Sequence, residues 1–280
     1  MSNGFLTLAE AAQELGVHYM TVYRYVRTGK LPARQVAGEW HVEPSDLALL
    51  RPGAPGPARG AAARAGPKSR QAQLEARLVA GDETGAWALI EAGLGAGMKP
   101  GESLLELVAP AMSSVGAHWQ SGEWSIADEH RATAVAGRLI ARLGSRFVRR
   151  GVKRGTVVLA APAGELHGLP VSMGANLLRW NGFNVVELGA DTPPDALAEA
   201  VAGQDGPLAA GIVSTVNGAT RSVQRCVAEV RRACPEVPVL VGGAAITGAS
   251  QARRLGADVY TGKRADELLR AVEAIADKRR

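Results

Sequence analysis

Apolar positions recur with different spacings along the chain, and the changes of spacing divide it. Within residues 5–50, Leu8, Ala11, Ala12 and Leu15 fall on one face of a helix. Thr7, with Glu10 three residues on, forms the pattern of a capping box at the start of that helix, and Gly16 supplies a left-handed residue at its end. Val17 reads as a core contact at the turn. A second helix is predicted over residues 19–28, ending before Gly29, with Val22 and Val26 inward and Thr21, Tyr23, Arg24 and Arg27 exposed. Arg34–Val36 and Trp40–Val42 flank Ala37-Gly38 as a short hairpin.

Residues 51–70, RPGAPGPARGAAARAGPKSR, carry no apolar period and no acidic residue, the composition of a flexible linker. Helical spacing returns over 71–150. Leu74, Leu78 and Val79 share a face, as do Trp87, Ile90 and Leu94, then Leu104, Leu105, Val108 and Met112, then Val135, Leu139 and Leu143. Glycine and proline at 93–101 and glycine at 116–122 break this region into about four helices, for which an antiparallel bundle is the economical packing. From Gly151 the pattern changes to short apolar runs: TVVLAAP, FNVVELGA, AAGIVSTV, VPVLVGG and ADVYTG. Helical stretches at 168–180, 194–203, 220–233, 247–255 and 264–278 alternate with them. Strands apolar on both sides, alternating with helices, predict a parallel sheet covered on both faces. Ligands of such sheets bind at the carboxyl ends of the strands, where the small residues of these runs cluster.

Composition narrows the possibilities. At 280 residues, 46% hydrophobic and 21% charged, the chain is not largely disordered and has room for two or three domains. No run approaches the ~20 apolar residues of a membrane span, and MSNGFLTLAE lacks a signal-peptide profile. Cys226 and Cys234 show no metal spacing and read as packing residues. A cytoplasmic location away from membranes is the expectation. P-loop, HExxH and GxSxG motifs are absent, and GLGAG at 93–97 lies between helices rather than after a strand. We therefore expect no enzyme. The net charge of +5 permits an anionic partner.

Between His18 and Arg34 basic residues occur without a single acidic one. Thr21, Tyr23, Arg24, Arg27, Lys30 and Arg34 are the candidate contacts to phosphates and base edges, although a solvated basic helix face would account for the charge alone. The turn glycine, TVYRYVR, GKLPA and the hairpin together resemble the excisionase-like and MerR-like winged helix–turn–helix family across nearly all of residues 5–50. His18 stands where that family commonly has a serine or threonine cap. The resemblance implies that the second helix enters the major groove of double-stranded operator DNA.

The first strand of the α/β region runs into Glu165-Leu166-His167-Gly168-Leu169. A lone loop histidine is ordinarily just solvated. An imidazole that binds a metal through one nitrogen needs an acceptor for the proton on the other, however, and a carboxylate two residues away can supply it. Ser214-Thr215-Val216 closes the third strand and Gly242-Gly243 the fourth, small residues that let a ligand approach the backbone. The set resembles the cobalamin-binding Rossmann-like domain across residues 151–280, whose motif is Asp/Glu-x-His-x-x-Gly, then Ser-x-Leu, then Gly-Gly. Pro170 stands in place of the motif glycine and Val216 in place of leucine. By this resemblance His167 is the lower axial cobalt ligand and Glu165 its partner, with Leu166, Gly168 and Leu169 beside them. Ser214, Thr215, Val216, Gly242 and Gly243 then line the pocket of the cofactor's nucleotide tail.

Trp119, nine intervening residues and Glu129-His130 match the Trp-x9-Glu-His signature of cobalamin-dependent photoreceptors of the CarH and LitR type. Core anchoring by Trp119 and Trp124 beside an exposed Glu129-His130 pair is the plainer account. The resemblance implies adenosylcobalamin as chromophore, Trp119 over the upper cobalt face, Glu129 holding the adenosyl group, and His130 as upper ligand after photolysis. It further implies a dark homotetramer on operator DNA that light dissolves, relieving repression. The expected architecture is multidomain α and α/β: a winged helix–turn–helix domain at 1–50, a linker at 51–70, a four-helix-bundle cap at 71–150 and a Rossmann-like domain at 151–280. Alternatives are a transcription factor that senses cobalamin level or redox state without light, a corrinoid methyl carrier, and a sheet that serves assembly alone.

Overall fold

The computed structural model describes residues 5–27, 31–36, 39–48, 70–147, 151–216 and 218–279. Most of the expected linker, Lys30, and Ala37-Gly38 at the hairpin tip lie outside the described residues. The chain divides into two compact units: residues 1–89 with 110–135, and residues 90–109 with 136–280.

In the first unit, β1 (Leu6–Thr7), α1 (Leu8–Leu15), α2 (Tyr19–Arg27), β2 (Ala33–Val36), β3 (Glu39–Val42) and α3 (Pro44–Ala48) follow in order. The capping box is present: the Glu10 amide donates to Thr7 Oγ1, and Glu10 Oε2 accepts from the Thr7 amide. Gly16 takes φ 66° and its N–H donates to carbonyls of the last turn of α1, a conformation that would strain any residue with a Cβ. His18 serves as the cap of α2, its Nδ1 accepting from the Met20 amide at 3.2 Å. Strands β2 and β3 pair antiparallel, and β1 adds to β3, giving a three-stranded sheet where the sequence predicted only a hairpin. Leu8, Ala11, Ala12, Leu15, Val22, Leu31, Val42 and Leu47 form the core of this part.

The helical region contains the expected runs: α4 (Arg70–Ala80), α5 (Glu83–Gly95), α6 (Pro100–Glu102), a π-helical segment Ser103–Val108, α7 (Ala109–Ser121) and α8 (Ile126–Gly144). Gly122 at φ 81° ends α7. Ser125 and Asp128 cap α8 reciprocally, the Ser125 amide donating to Asp128 Oδ2 and the Asp128 amide to Ser125 Oγ. Both compact units draw on these helices.

The second unit holds the α/β fold: β4 (Thr156–Pro162), α9 (Leu169–Trp180), β5 (Asn184–Thr192), α10 (Pro194–Ala202), β6 (Ala209–Val213), α11 (Thr220–Ala233), β7 (Val239–Gly242), α12 (Ala249–Arg254), β8 (Val259–Tyr260) and α13 (Ala265–Lys278). The sheet is parallel throughout, ordered β5-β4-β6-β7-β8. Successive side chains of β4 point to opposite faces. Val157, Leu159 and Ala161 join the core beneath α9 and α13, whereas Val158 and Ala160 join the core that includes Leu197, Val223 and Val227. That two-sided burial is why the strand reads as an unbroken apolar run. Leu159 is fully buried, worth about 2 kcal/mol by area, and truncation to alanine would cost about 2–5 kcal/mol. The chain reverses its direction of winding between β4 and β6, so their carboxyl ends flank the topological switch point. Cys226 lies in the core, as expected of a packing residue.

Candidate functional site

The loop between β4 and α9 presents Glu165 and His167 at that switch point, and the segment after β6 presents Ser214, Thr215 and Val216 opposite. Glu165 connects the two. Its side chain is fully buried, and Oε1 accepts from the His167 backbone N–H at 3.1 Å and faces His167 Nδ1 at 2.6 Å. Oε2 accepts from the Thr215 N–H (2.6 Å), the Thr215 hydroxyl (3.0 Å) and the Val216 N–H (2.8 Å). Burial alone would push this carboxyl up, but the hydrogen bonds from His167, Thr215 and Val216 outweigh it and hold the pKa down at about 2.

A permanent carboxylate is only an acceptor, so His167 Nδ1 must carry the proton. In the neutral imidazole the lone pair is then on Nε2, in a side chain that is 56% exposed. This tautomer is the one a metal-ligating imidazole requires. Leu166, 74% exposed, and Val216, 39% exposed, add apolar surface beside it. Gly168 caps α9, Leu169 begins it, and Pro170 sits in its first turn. No proline N–H is missed there, because the first amides of a helix have no intrahelical acceptor.

Ser214, Gly242 and Gly243 lie together between β6 and β7. The Ser214 N–H donates to Gly242 O (2.9 Å), and Ala245 N–H donates to Ser214 O (3.2 Å). Gly243 takes φ 105°, and a Cβ there would collide with the Ser214 main chain. The Ser214 hydroxyl is buried with no hydrogen-bond partner among the described residues. An orphaned hydroxyl beside a side-chain-free pair of glycines suits a polar ligand chain entering between the strands. Together with the His167 tautomer, it makes the residues present fit a cobalt corrinoid with a displaced tail.

In the first unit, Trp119 lies in the last turn of α7, half-buried. Glu129 is held by the Thr133 hydroxyl, which donates to Oε1 at 2.7 Å, while Oε2 lies 3.6 Å from Nε2 of the exposed His130. Sequence reasoning passed over His118. Its ring packs on Trp124 with centroids 4.4 Å apart, and its nitrogens lie 3.0 Å from Glu75 and 3.6 Å from Glu123. Trp119 and Glu123 are near it in sequence; Glu75 reaches it through the fold, which no local pattern announces.

The candidate DNA-contacting residues separate. Arg34 is exposed, its guanidinium over the Phe5 ring, whereas Thr21 and Tyr23 are half-buried. Arg27 is described only as the last residue of α2, and Lys30 lies outside the described residues. Arg24 corrects an expectation: it is 8% exposed, and its guanidinium donates to Trp124 O at 3.0 Å and Trp119 O at 3.4 Å. Trp119 O is among the last carbonyls of α7, which lack intrahelical donors and carry partial negative charge that draws a cation, and Trp124 O lies in the connection between α7 and α8.

Models of known families match three parts of the chain: a helix-turn-helix domain over residues 5–50, and two models described as B12 binding domain, over 70–143 and 155–272. The chain joins a helix-turn-helix domain to B12-binding domains. It is 30% identical over 171 residues to the HTH-type transcriptional repressor CarH of Myxococcus xanthus, a match covering 60% of this chain and 56% of that repressor. The matched part therefore spans little more than half of that relative. It is 28% identical over 188 residues to the trimethylamine corrinoid protein of Methanosarcina barkeri, covering 65% of this chain and 84% of that protein. The structure of the Methanosarcina barkeri monomethylamine corrinoid protein superposes with a TM-score of 0.62 at 18% identity, over 72% of this chain and 96% of that one. This last likeness concerns the fold. The Rossmann-like, cobalamin-binding architecture expected from the sequence is present. Among the described residues no helix is long and apolar enough to cross a membrane.

Proposed function

We propose that this chain is a DNA-binding transcriptional regulator, a repressor rather than an enzyme, that uses adenosylcobalamin as its light sensor in the cytoplasm. The observation that carries the reading is the Glu165 clamp, which holds His167 in the metal-binding tautomer in a chain that also has a helix–turn–helix domain. Adenosylcobalamin, when bound, supplies a cobalt–carbon bond that light cleaves. His167 Nε2 would ligate the cobalt, Ser214 would donate to the nucleotide tail, and Gly242-Gly243 would give it room. By the resemblance, Trp119 would shield the adenosyl group, Glu129 would hold it through its second oxygen, and His130 would be available as a cobalt ligand once light had cleaved that bond.

Dark assembly into a homotetramer would couple the cofactor to double-stranded operator DNA. One helix–turn–helix unit of about fifty residues makes few phosphate contacts, so its own affinity is modest and salt-dependent. Joining several copies raises effective concentration and strengthens binding by about 10²–10⁴. Size-exclusion chromatography with adenosylcobalamin, in the dark and after green illumination with absorbance recorded, tests this directly. A coloured dark species that shrinks on illumination supports the reading, and an oligomer indifferent to light refutes it. His130→Ala should alter the illuminated spectrum while leaving dark binding intact.

A second reading is favoured by the coverage of the trimethylamine corrinoid protein: a methyl carrier. The helix–turn–helix domain over residues 5–50 has no place in that role. Methyl transfer from methylcobalamin-loaded protein to a thiol acceptor, at a rate above free methylcobalamin, would favour it over the regulator.

A further inference from the structure

Asp191, near the end of β5, is the one non-glycine residue with positive φ (51°) among the described residues. Aspartate tolerates this left-handed conformation better than most residues, but something must still favour it. Two hydrogen bonds to the His167 loop do so. The Asp191 backbone N–H donates to Glu165 O at 2.9 Å, and its carboxylate Oδ1 accepts from the Gly164 N–H at 2.7 Å. Ala190, just before it, lies against Gly168, so that a Cβ on Gly168 would sit 3.6 Å from Ala190 Cβ. The end of β5 thus braces the loop on both sides of His167. From the opposite side, the segment after β6 grips the same loop through the Glu165 carboxylate.

We propose that Asp191 is a positioning residue that sets the direction in which His167 presents Nε2. The assignment rests on the cobalamin reading of the site. Glu165 selects the tautomer but is itself one link from the backbone, and its main chain is fixed by Asp191. With the acceptor of Gly164 removed, the β5 side keeps only the main-chain bond from residue 191 to Glu165 O, so residues 164–167 are held there by one bond instead of two and the direction of the imidazole is less firmly set.

Two variants separate geometry from stability. Asp191→Gly keeps access to the left-handed conformation and removes the acceptor, whereas Asp191→Asn retains both. In full-length cobalamin-free protein, D191G should speed hydrogen exchange at the Gly164 amide by about tenfold or more, and D191N should leave it near wild type. With adenosylcobalamin in the dark, D191G should lower affinity about tenfold and shift the visible spectrum toward the form without a lower imidazole, and D191N should do neither. The assignment is overturned if D191G matches wild type in spectrum and affinity, or if D191N is as impaired as D191G. It is equally overturned if D191G lowers the unfolding midpoint without moving the spectrum. Wild-type protein that retains no cobalamin overturns the reading of the site together with this assignment. Retention by wild type with an indifferent D191G overturns this assignment alone.

Discussion

Glu165→Gln removes one charge and almost no volume, so it isolates the work of the clamp. In the native chain the two carboxylate oxygens accept from His167, Thr215 and Val216. A glutamine has one oxygen to offer. Its best arrangement turns that oxygen to Thr215 and Val216 and its NH2 to His167, where Nδ1 must then become the acceptor. The proton moves to Nε2, and the backbone N–H of His167 loses its partner. Holding the carboxyl at about 2 instead of 4.5 corresponds to about 3 kcal/mol at 1.36 kcal/mol per pH unit. The cobalamin-free variant should therefore be about 3 kcal/mol less stable at pH 7, read as a lower urea midpoint by far-ultraviolet circular dichroism.

The pH dependence has a definite sign. Because the folded-state pKa is depressed, the stabilisation is fully present above the unfolded value near 4.5 and disappears as pH falls through about 2. Wild type and E165Q should accordingly converge between those limits. The variant should also bind cobalamin about 10–100-fold more weakly, since its imidazole presents a proton where the metal needs a lone pair. Equal urea midpoints at pH 7, or a stability gap unchanged at pH 3, would refute the clamp as the structure describes it.

Other substitutions probe the rest of the site. His167→Ala removes the Nδ1–H donor to the buried Glu165 Oε1, so the cobalamin-free fold should lose about 1–3 kcal/mol, and imidazole ligation should disappear from the spectrum. An unchanged spectrum would take His167 out of its assigned role. Ser214→Ala deletes a buried hydroxyl that has no partner among the described residues, so the cobalamin-free protein should gain about 1 kcal/mol while cobalamin affinity falls. Opposite signs in the melting and binding experiments are the expected signature. Gly243→Ala combines φ 105° with a collision against Ser214, and should cost about 3 kcal/mol or more in urea unfolding.

The parallel sheet was legible because its strands are apolar on both sides, which leaves little room for another reading of TVVLAAP or VPVLVGG. Strand β1 was not legible: two residues, Leu6 and Thr7, carry no periodicity, and only pairing with Val42 and His41 makes them a strand. Glu165 and His167 were legible as a pair because their spacing is local. The contacts of Glu165 with Thr215 and Val216 are fifty residues distant, and no local pattern announces them. Arg24 was placed outward on helical period alone. A single arginine that finds main-chain carbonyls a hundred residues away is a tertiary event that periodicity does not contain.

The departure at Pro170 can be judged by where the loop's order comes from. If the motif glycine worked by giving the loop conformational freedom, a proline there would distort the approach of His167. In this chain the loop is set before residue 170 is reached: Asp191 fixes Gly164 and Glu165, Glu165 fixes His167, and Gly168 already caps α9 in right-handed helical geometry at φ −77°. Pro170 then occupies a helical position whose amide needs no acceptor, and its fixed φ suits the first turn. The clamp and the brace act upstream of the substitution, so Pro170→Gly should leave the tautomer and orientation of His167 unchanged. It should instead destabilise α9 by about 0.5–1 kcal/mol through the added freedom of the unfolded chain. A P170G variant that gained cobalamin affinity by tenfold would show that the proline, and not Asp191, limits the loop.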